Sequence, residues 1–227
     1  QFVEECKVVN LQDRWDDAIG LFRIRPGIKG HTLDCFGKTD LHSLPDSISY
    51  LIYAVQTGRL KEIDGQRILE NVRRCQFHDG ERRGQIKWFL EDCDKTDGNA
   101  PFFICVGLIP LQKYFAKKLS QASQVLLDEI LAETRYYFFH KVRQGACYYP
   151  NSYMGDLLFA WLPNELYGNK SDERELHGFL KYSGKYWVEQ HWGWGEHMSD
   201  SYAKVCCFEL SMFLLMSKKL PARIRGL

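Results

Sequence analysis

The stretch SQASQVLLDEILAETRYYFFHKVR, Ser120 to Arg143, decides the fold class. Its Val125, Leu126, Ile130, Leu131, Tyr137 and Phe138 gather on one side at helical spacing, while charged residues fill the rest. That pattern predicts a helix with one face on a core and the other in water. Outward from it, turn residues separate further blocks of helical length. Ser43 to Thr57 carries the stripe Leu44, Ile48, Leu51, Ile52 and Val55, with Pro45 in its opening turn and Gly58 after its end. Asp64 to Cys75 is the second block, and Ala100 to Lys118 the third, which Pro110 should kink or divide.

Beyond the opening stretch, Tyr153 to Tyr167 reads as a more apolar helix. A sixth begins at Asn169-Lys-Ser-Asp172, with Ser171 or Asp172 expected as its N-cap, and runs to about Gln190. The seventh, Ser199 to Lys219, is apolar around most of its circumference and is expected to be buried. Residues 1 to 40 mix short apolar pieces with Pro26, Gly27, Gly30 and Gly37, and are expected to form an extended, loop-rich N-terminal segment before a helical domain over 41 to 227. The expected class is all-α, with antiparallel helix pairs joined by alternating short and long loops. An α/α toroid has this form. A complete one takes about a dozen helices, so seven imply a partial toroid or a piece of a longer one.

Composition narrows the function. With 30 Lys and Arg against 29 Asp and Glu, the 227-residue chain has a formal charge of +1 and no global field for nucleic acid. The uncharged stretch Gly98 to Gln112 is too short for a bilayer span and is broken by two prolines, so no membrane partner is expected. The 8 Cys include no C-x-x-C pair and read as buried thiols rather than a disulfide framework. The unusual quantity is aromatic: 14 Phe, 12 Tyr and 6 Trp, many set beside Gly, His and Asn, where flat rings suit a flat-faced ligand such as a sugar.

Three stretches concentrate that chemistry. The first, His191-Trp-Gly-Trp-Gly-Glu-His-Met-Ser-Asp-Ser-Tyr202, places Trp192 and Trp194 beside Glu196, His197, Asp200 and Tyr202. Ser199 there also reads as a helix cap. The second, Cys147-Tyr-Tyr-Pro-Asn-Ser-Tyr-Met-Gly-Asp156, brings Tyr149 and Asn151 to a helix N-terminus, or is a proline turn with its hydroxyls in water. The third runs from Gln76 through Arg82, Arg83 and Trp88 to Asn99, which is either a functional amide or a helix cap. No nucleophile-elbow, zincin, P-loop or dinucleotide motif occurs, and the His191 and His197 spacing does not place both on one helix face, so neither a metal nor a cofactor is expected.

Together, Asp97-Gly-Asn-Ala-Pro-Phe-Phe103, the Tyr-rich loop and the Trp-Gly-Trp-Gly stretch resemble the α/α-toroid polysaccharide lyases that cleave uronic-acid polymers. The resemblance implies β-elimination at a 4-linked uronic acid: the sugar carboxylate is neutralised, the C5 proton removed and the departing O4 protonated. It assigns Asn99 and His197 to carboxylate neutralisation or base work, and Tyr202 or Tyr149 to proton transfer. Trp192 and Trp194 become sugar platforms, Asn151 a hydrogen-bonding group and Arg83 a subsite charge, with Glu196 and Trp88 as further substrate-binding residues. The implied partner is an acidic polysaccharide, with no cofactor, and an exposed apolar edge on a partial toroid would serve homo-oligomerisation. Two alternatives remain open. A glycoside hydrolase on the same toroid would use two carboxylates roughly 5 to 9.5 Å apart, drawn from Asp97, Asp156, Glu196 and Asp200. A carbohydrate-binding module would need only the platforms.

Overall fold

The computed structural model describes residues 14–24, 41–92, 97–145, 147–191 and 199–219. It is mostly helical, with seven α-helices and one small sheet among the described residues. The chain divides into two compact units, one formed by residues 1–77 and 85–130 and the other by 78–84 and 131–227.

In the first unit, β1 (Trp15–Asp16), β2 (Leu21–Arg23) and β3 (His42–Ser43) make an antiparallel sheet in that order. Trp15 pairs with Phe22, and Arg23 with His42. Such short strands need side-chain ties. The buried His42 ring supplies one, its Nδ1 lying 2.6 Å from Glu91 Oε1 and its Nε2 3.2 Å from Asp16 Oδ2. Arg23 holds the same Asp16 oxygen at 2.6 Å, and that guanidinium chiefly keeps the Asp16 carboxyl down at about 2.

Helix α1 (Leu44–Thr57) starts where Ser43 accepts from the Asp46 N–H, and stops at Gly58, whose φ of +74° suits the left-handed C-cap. Asp64 caps α2 (Gly65–Arg74) by accepting from the Arg67 N–H. Helix α3 (Ala100–Pro110) ends at Pro110, where a wider turn (Leu111–Phe115) and a tighter one (Ala116–Lys118) follow, so the proline divides the block as its missing N–H requires. Ile48, Leu51, Ile68, Leu69, Ile104 and Leu108 form the core of this unit.

Gly107 lets α3 approach α1 closely, because a Cβ there would overlap Ile48 and lie 3.1 Å from Ile52 Cδ1. Gly107→Ala should therefore cost about 1–3 kcal/mol through overpacking. Gly178→Ala, on an open helix face with no atom near the new methyl, should instead stabilise by about 0.5–1 kcal/mol. Urea unfolding of both variants checks this contrast, and equal shifts would refute it.

The division between units falls within α4 (Gln121–Gln144). In the second unit, α5 (Pro150–Tyr167) packs on α6 (Lys170–Glu189) and α7 (Asp200–Met216). Phe138 meets Phe159 at 5.3 Å, and Trp161 meets Phe213 edge-on at 5.3 Å. Glu165 closes the far end of α5: its carboxylate accepts from the Trp161 indole at 2.8 Å, the Lys218 and Lys219 N–H groups, and the Ser217 hydroxyl.

Two expectations are corrected here. The N-cap of α6 is Asn169, whose Oδ1 accepts from the Ser171 and Asp172 N–H groups, so the cap lies two residues before the expected Ser171. Helix α7 is not buried all round: Glu209, Met212 and Phe213 face inward, while Leu210, Leu214 and Leu215 are exposed. Of the described cysteines, Cys75, Cys105 and Cys147 are buried and in no disulfide, and Cys207 is exposed. Burial pushes Cys75 up to about 11. Among the described residues, no helix is long and apolar enough to cross a membrane.

Candidate functional site

Helix α5 begins with Pro150 at its first position, where a fixed φ and a missing N–H cost nothing. From there Tyr149, Ser152, Tyr153 and Asp156 recur at spacings of three and four, which puts them on one helix face. The last turn of α4 contributes Lys141 and Gln144, and Gly145 follows directly after it. These two helix ends enclose a cleft of about 270 Å³ in the second unit, lined by those seven residues.

Asp156 is the one carboxyl in that lining. The residue is half-buried, but its carboxyl is packed about with protein, and this desolvation raises it to about 7 against the counteracting charge of Lys141. Tyr149 stands at the rim, 51% exposed, its ring edge-on to Tyr148 at 5.1 Å. Tyr153 forms the wall. Its phenol is buried and hydrogen-bonded with the Cys147 thiol, and burial pushes both groups upward, so neither is an accessible base.

Glu209 on α7 lies wholly inside the same unit, 0% exposed, and neither of its oxygens has a hydrogen-bond partner. Desolvation chiefly, and then the Asp156 charge, push its carboxyl up to about 9. An unpartnered buried carboxylate is too costly to exist as an ion, so Glu209 is a neutral acid at neutral pH.

The expected site residues fall in different places. Tyr149 lines the cleft, and Asn151 follows it in the first turn of α5 with its Oδ1 buried and unpartnered. Tyr202 is exposed in the first turn of α7, which Ser199 caps by accepting the Tyr202 N–H. Asp200 pairs with Lys204 at 2.6 Å on the surface. Arg83 is taken up by Glu133 and by the Tyr136 ring, 3.8 Å from its centroid, so it offers no free subsite charge. Trp192, Trp194, Glu196 and His197 lie outside the described residues.

Asn99 and Trp88 belong to the first unit. Asn99 occupies the N-cap position of α3 without capping it, which leaves its amide exposed and uncommitted. One turn on, Phe103 is half exposed, with its ring 5.0 Å from that of Trp88. Asp97 accepts from the Asn99 N–H at 2.8 Å and shapes the turn before the helix. A larger cleft of about 600 Å³ in this unit is lined by Trp15, Asp17, Glu62, Asp64 and Arg67 among others, but these groups hold one another or the backbone. Asp17 takes the Trp15 indole, Arg67 the Asp17 and Ala18 carbonyls, and Glu62 pairs with Arg59.

Four residues of this unit have roles that the sequence reading does not give them. Lys141 and Gln144 close a helix that was read for its apolar stripe. Asp156 enters the sequence reading as the end of the Tyr-rich stretch and as a hydrolase carboxylate, and Glu209 does not enter it. The signal for both acids was local: each interrupts a strongly apolar helical run, where an unpaired carboxyl is rare. Among the described residues no group of three or more His, Cys, Asp or Glu is set to hold a metal. Compared with protein-family models, curated proteins and solved structures, the chain finds no match.

Proposed function

We propose that this chain is part of an α/α-toroid polysaccharide lyase that cleaves a 4-linked uronic-acid polymer by β-elimination in the cleft between the ends of α4 and α5. The observation that carries the reading is Asp156: a lone cleft carboxyl raised to about 7, where a base is partly ionised at neutral pH and still strong enough to take a carbon-bound proton.

In this scheme the Lys141 ammonium faces the sugar C6 carboxylate and drains charge from C5. The ionised Asp156 takes the C5 proton. As the electron pair forms the C4–C5 double bond, the C4–O4 bond breaks and the Tyr149 phenol delivers its proton to O4. His197 and Tyr202 remain proposed as a second carboxylate-neutralising group and an alternative proton donor. In the first unit, the Trp88 and Phe103 rings with the free Asn99 amide are proposed as a sugar platform. A hydrolase is less well supported, because it needs two carboxylates at the substrate and Asp156 is the one carboxyl in the described lining of the cleft.

The test is ultraviolet absorbance of an unsaturated uronate during incubation with glucuronan, alginate, pectate and glycosaminoglycans. A rise that depends on Asp156 and Tyr149 is the expected result and names the polymer. New reducing ends without that absorbance would replace the lyase with a hydrolase, and neither product would leave a binding module.

A further inference from the structure

Helix α6 repeats a two-residue unit one turn apart, Lys181-Tyr182 and Lys185-Tyr186. Four residues advance a helix by about 6 Å and return nearly to the same face, and the two Tyr ring centroids are 6.5 Å apart with their planes tilted by only 33°. Tyr182 is 59% exposed and Tyr186 partly so, although burial of aromatic rings is the ordinary outcome of folding. Each ring is accompanied by an exposed ammonium about a quarter-turn round the helix. Lys181 has no ion pair among the described residues. Among the described residues Lys185 reaches only Glu189, at 3.5 Å, and both members of that pair are exposed, so it is worth little and is readily exchanged.

The face continues from the cleft. The Trp187 indole donates to the Cys147 carbonyl at 3.1 Å, which holds this part of α6 against the residues leading into Tyr149. The remaining acids of α6 are engaged away from these rings: Asp172 with Arg135, Glu175 with Arg143 and Glu173 with Lys219. Two exposed rings one turn apart, each with an exposed ammonium beside it in the chain, suit a ligand that repeats a flat apolar face and a negative charge. A protein partner is a poorer fit, because Lys is depleted from the centres of protein interfaces.

We propose that Lys181, Tyr182, Lys185 and Tyr186 form an extended subsite for successive acidic sugar residues of a glycan bound in the neighbouring cleft. The Tyr rings take sugar faces and the ammonium groups take carboxylates. As an extension of the cleft this rests on the lyase reading, but it concerns binding and is tested without turnover.

The experiment is calorimetric titration of the full chain carrying Asp156→Asn, with an oligouronate and with a neutral oligoglucan, at low and high salt. The same titrations are repeated with Tyr182→Ala/Tyr186→Ala and with Lys181→Gln/Lys185→Gln added. All four positions lie on an outward face, and circular dichroism checks that the helix persists. The oligouronate should bind. Loss of the Tyr pair should weaken it by about tenfold or more at both salt concentrations. Loss of the Lys pair should reduce both the salt dependence and the preference over the neutral glycan, leaving the part that Lys141 supplies in the cleft. Unchanged affinity in both variants, or no oligouronate binding at all, overturns the proposal. If binding falls as expected while the wild type yields no unsaturated product, the subsite stands and the lyase falls. If product forms and the variants bind normally, the reverse holds.

Discussion

Asp156→Asn should lower the rate of unsaturated-uronate formation by about 10²–10⁴-fold while leaving glycan binding largely intact. The amide is nearly isosteric with the acid, so it preserves the packing that desolvates the site, yet it cannot accept the C5 proton. The wild-type pH profile carries the signature. A base must be ionised to work, and burial raises this one to about 7, so activity should be low in mild acid, climb through neutrality and level off above it. The positive charge of Lys141 opposes that rise, and Lys141→Met should therefore displace the midpoint upward as well as weakening the hold on the substrate carboxylate. Initial rates measured from about pH 5 to about pH 9 check all three statements. A loss of less than about tenfold, or a wild-type profile already level in mild acid, would remove Asp156 from the role of base.

How far the sequence discloses this molecule depends on the range of the interaction that decides each feature. Helices α1 to α4 begin and end close to the positions expected from Ser43, Gly58, Asp64, Pro110 and the stripe after Ser120, because caps and prolines act within one turn. Even there Val125 is exposed, since the stripe alone does not say how wide the buried face is. Helix α5 starts at Pro150 rather than at Tyr153, and its proline would have identified the first turn. The sheet escaped notice because strands of two or three residues are too short to alternate; Asp16, His42 and Glu91 hold them from far apart in the chain. Of the site, Tyr149 was legible in an aromatic and polar loop at a helix start. Asp156 was legible as a carboxyl at the end of that loop, but its meeting with Lys141 was not, because the two come together only when the end of one helix is brought to the beginning of the next.

Glu209→Met should stabilise the protein, most strongly above neutral pH. The wild-type carboxyl is wholly buried with neither oxygen partnered, so folding moves it from the ordinary value of 4.5 up to about 9. The sign follows from proton binding. Between those two values the folded chain keeps a proton that the unfolded chain releases, so the stability this carboxyl contributes is fully present below the ordinary value and is lost as pH rises through about 9. Each pH unit above the ordinary value costs the fold about 1.4 kcal/mol, which makes the burden about 3 kcal/mol near neutrality. Methionine fills a similar volume, has no group to ionise, and leaves no polar atom unpartnered among Met212, Phe213 and the α5 core. The Asp156 charge contributes to the strain on Glu209, so Asp156→Asn should recover a smaller part of the same stability. Urea unfolding followed by circular dichroism at about pH 5 and about pH 8 provides the measurement. The variant should lead the wild type by a margin that widens with pH. A constant margin, or a variant less stable in mild alkali, would mean that Glu209 is ionised and partnered in solution, and the neutral buried acid behind the cleft would have to be given up.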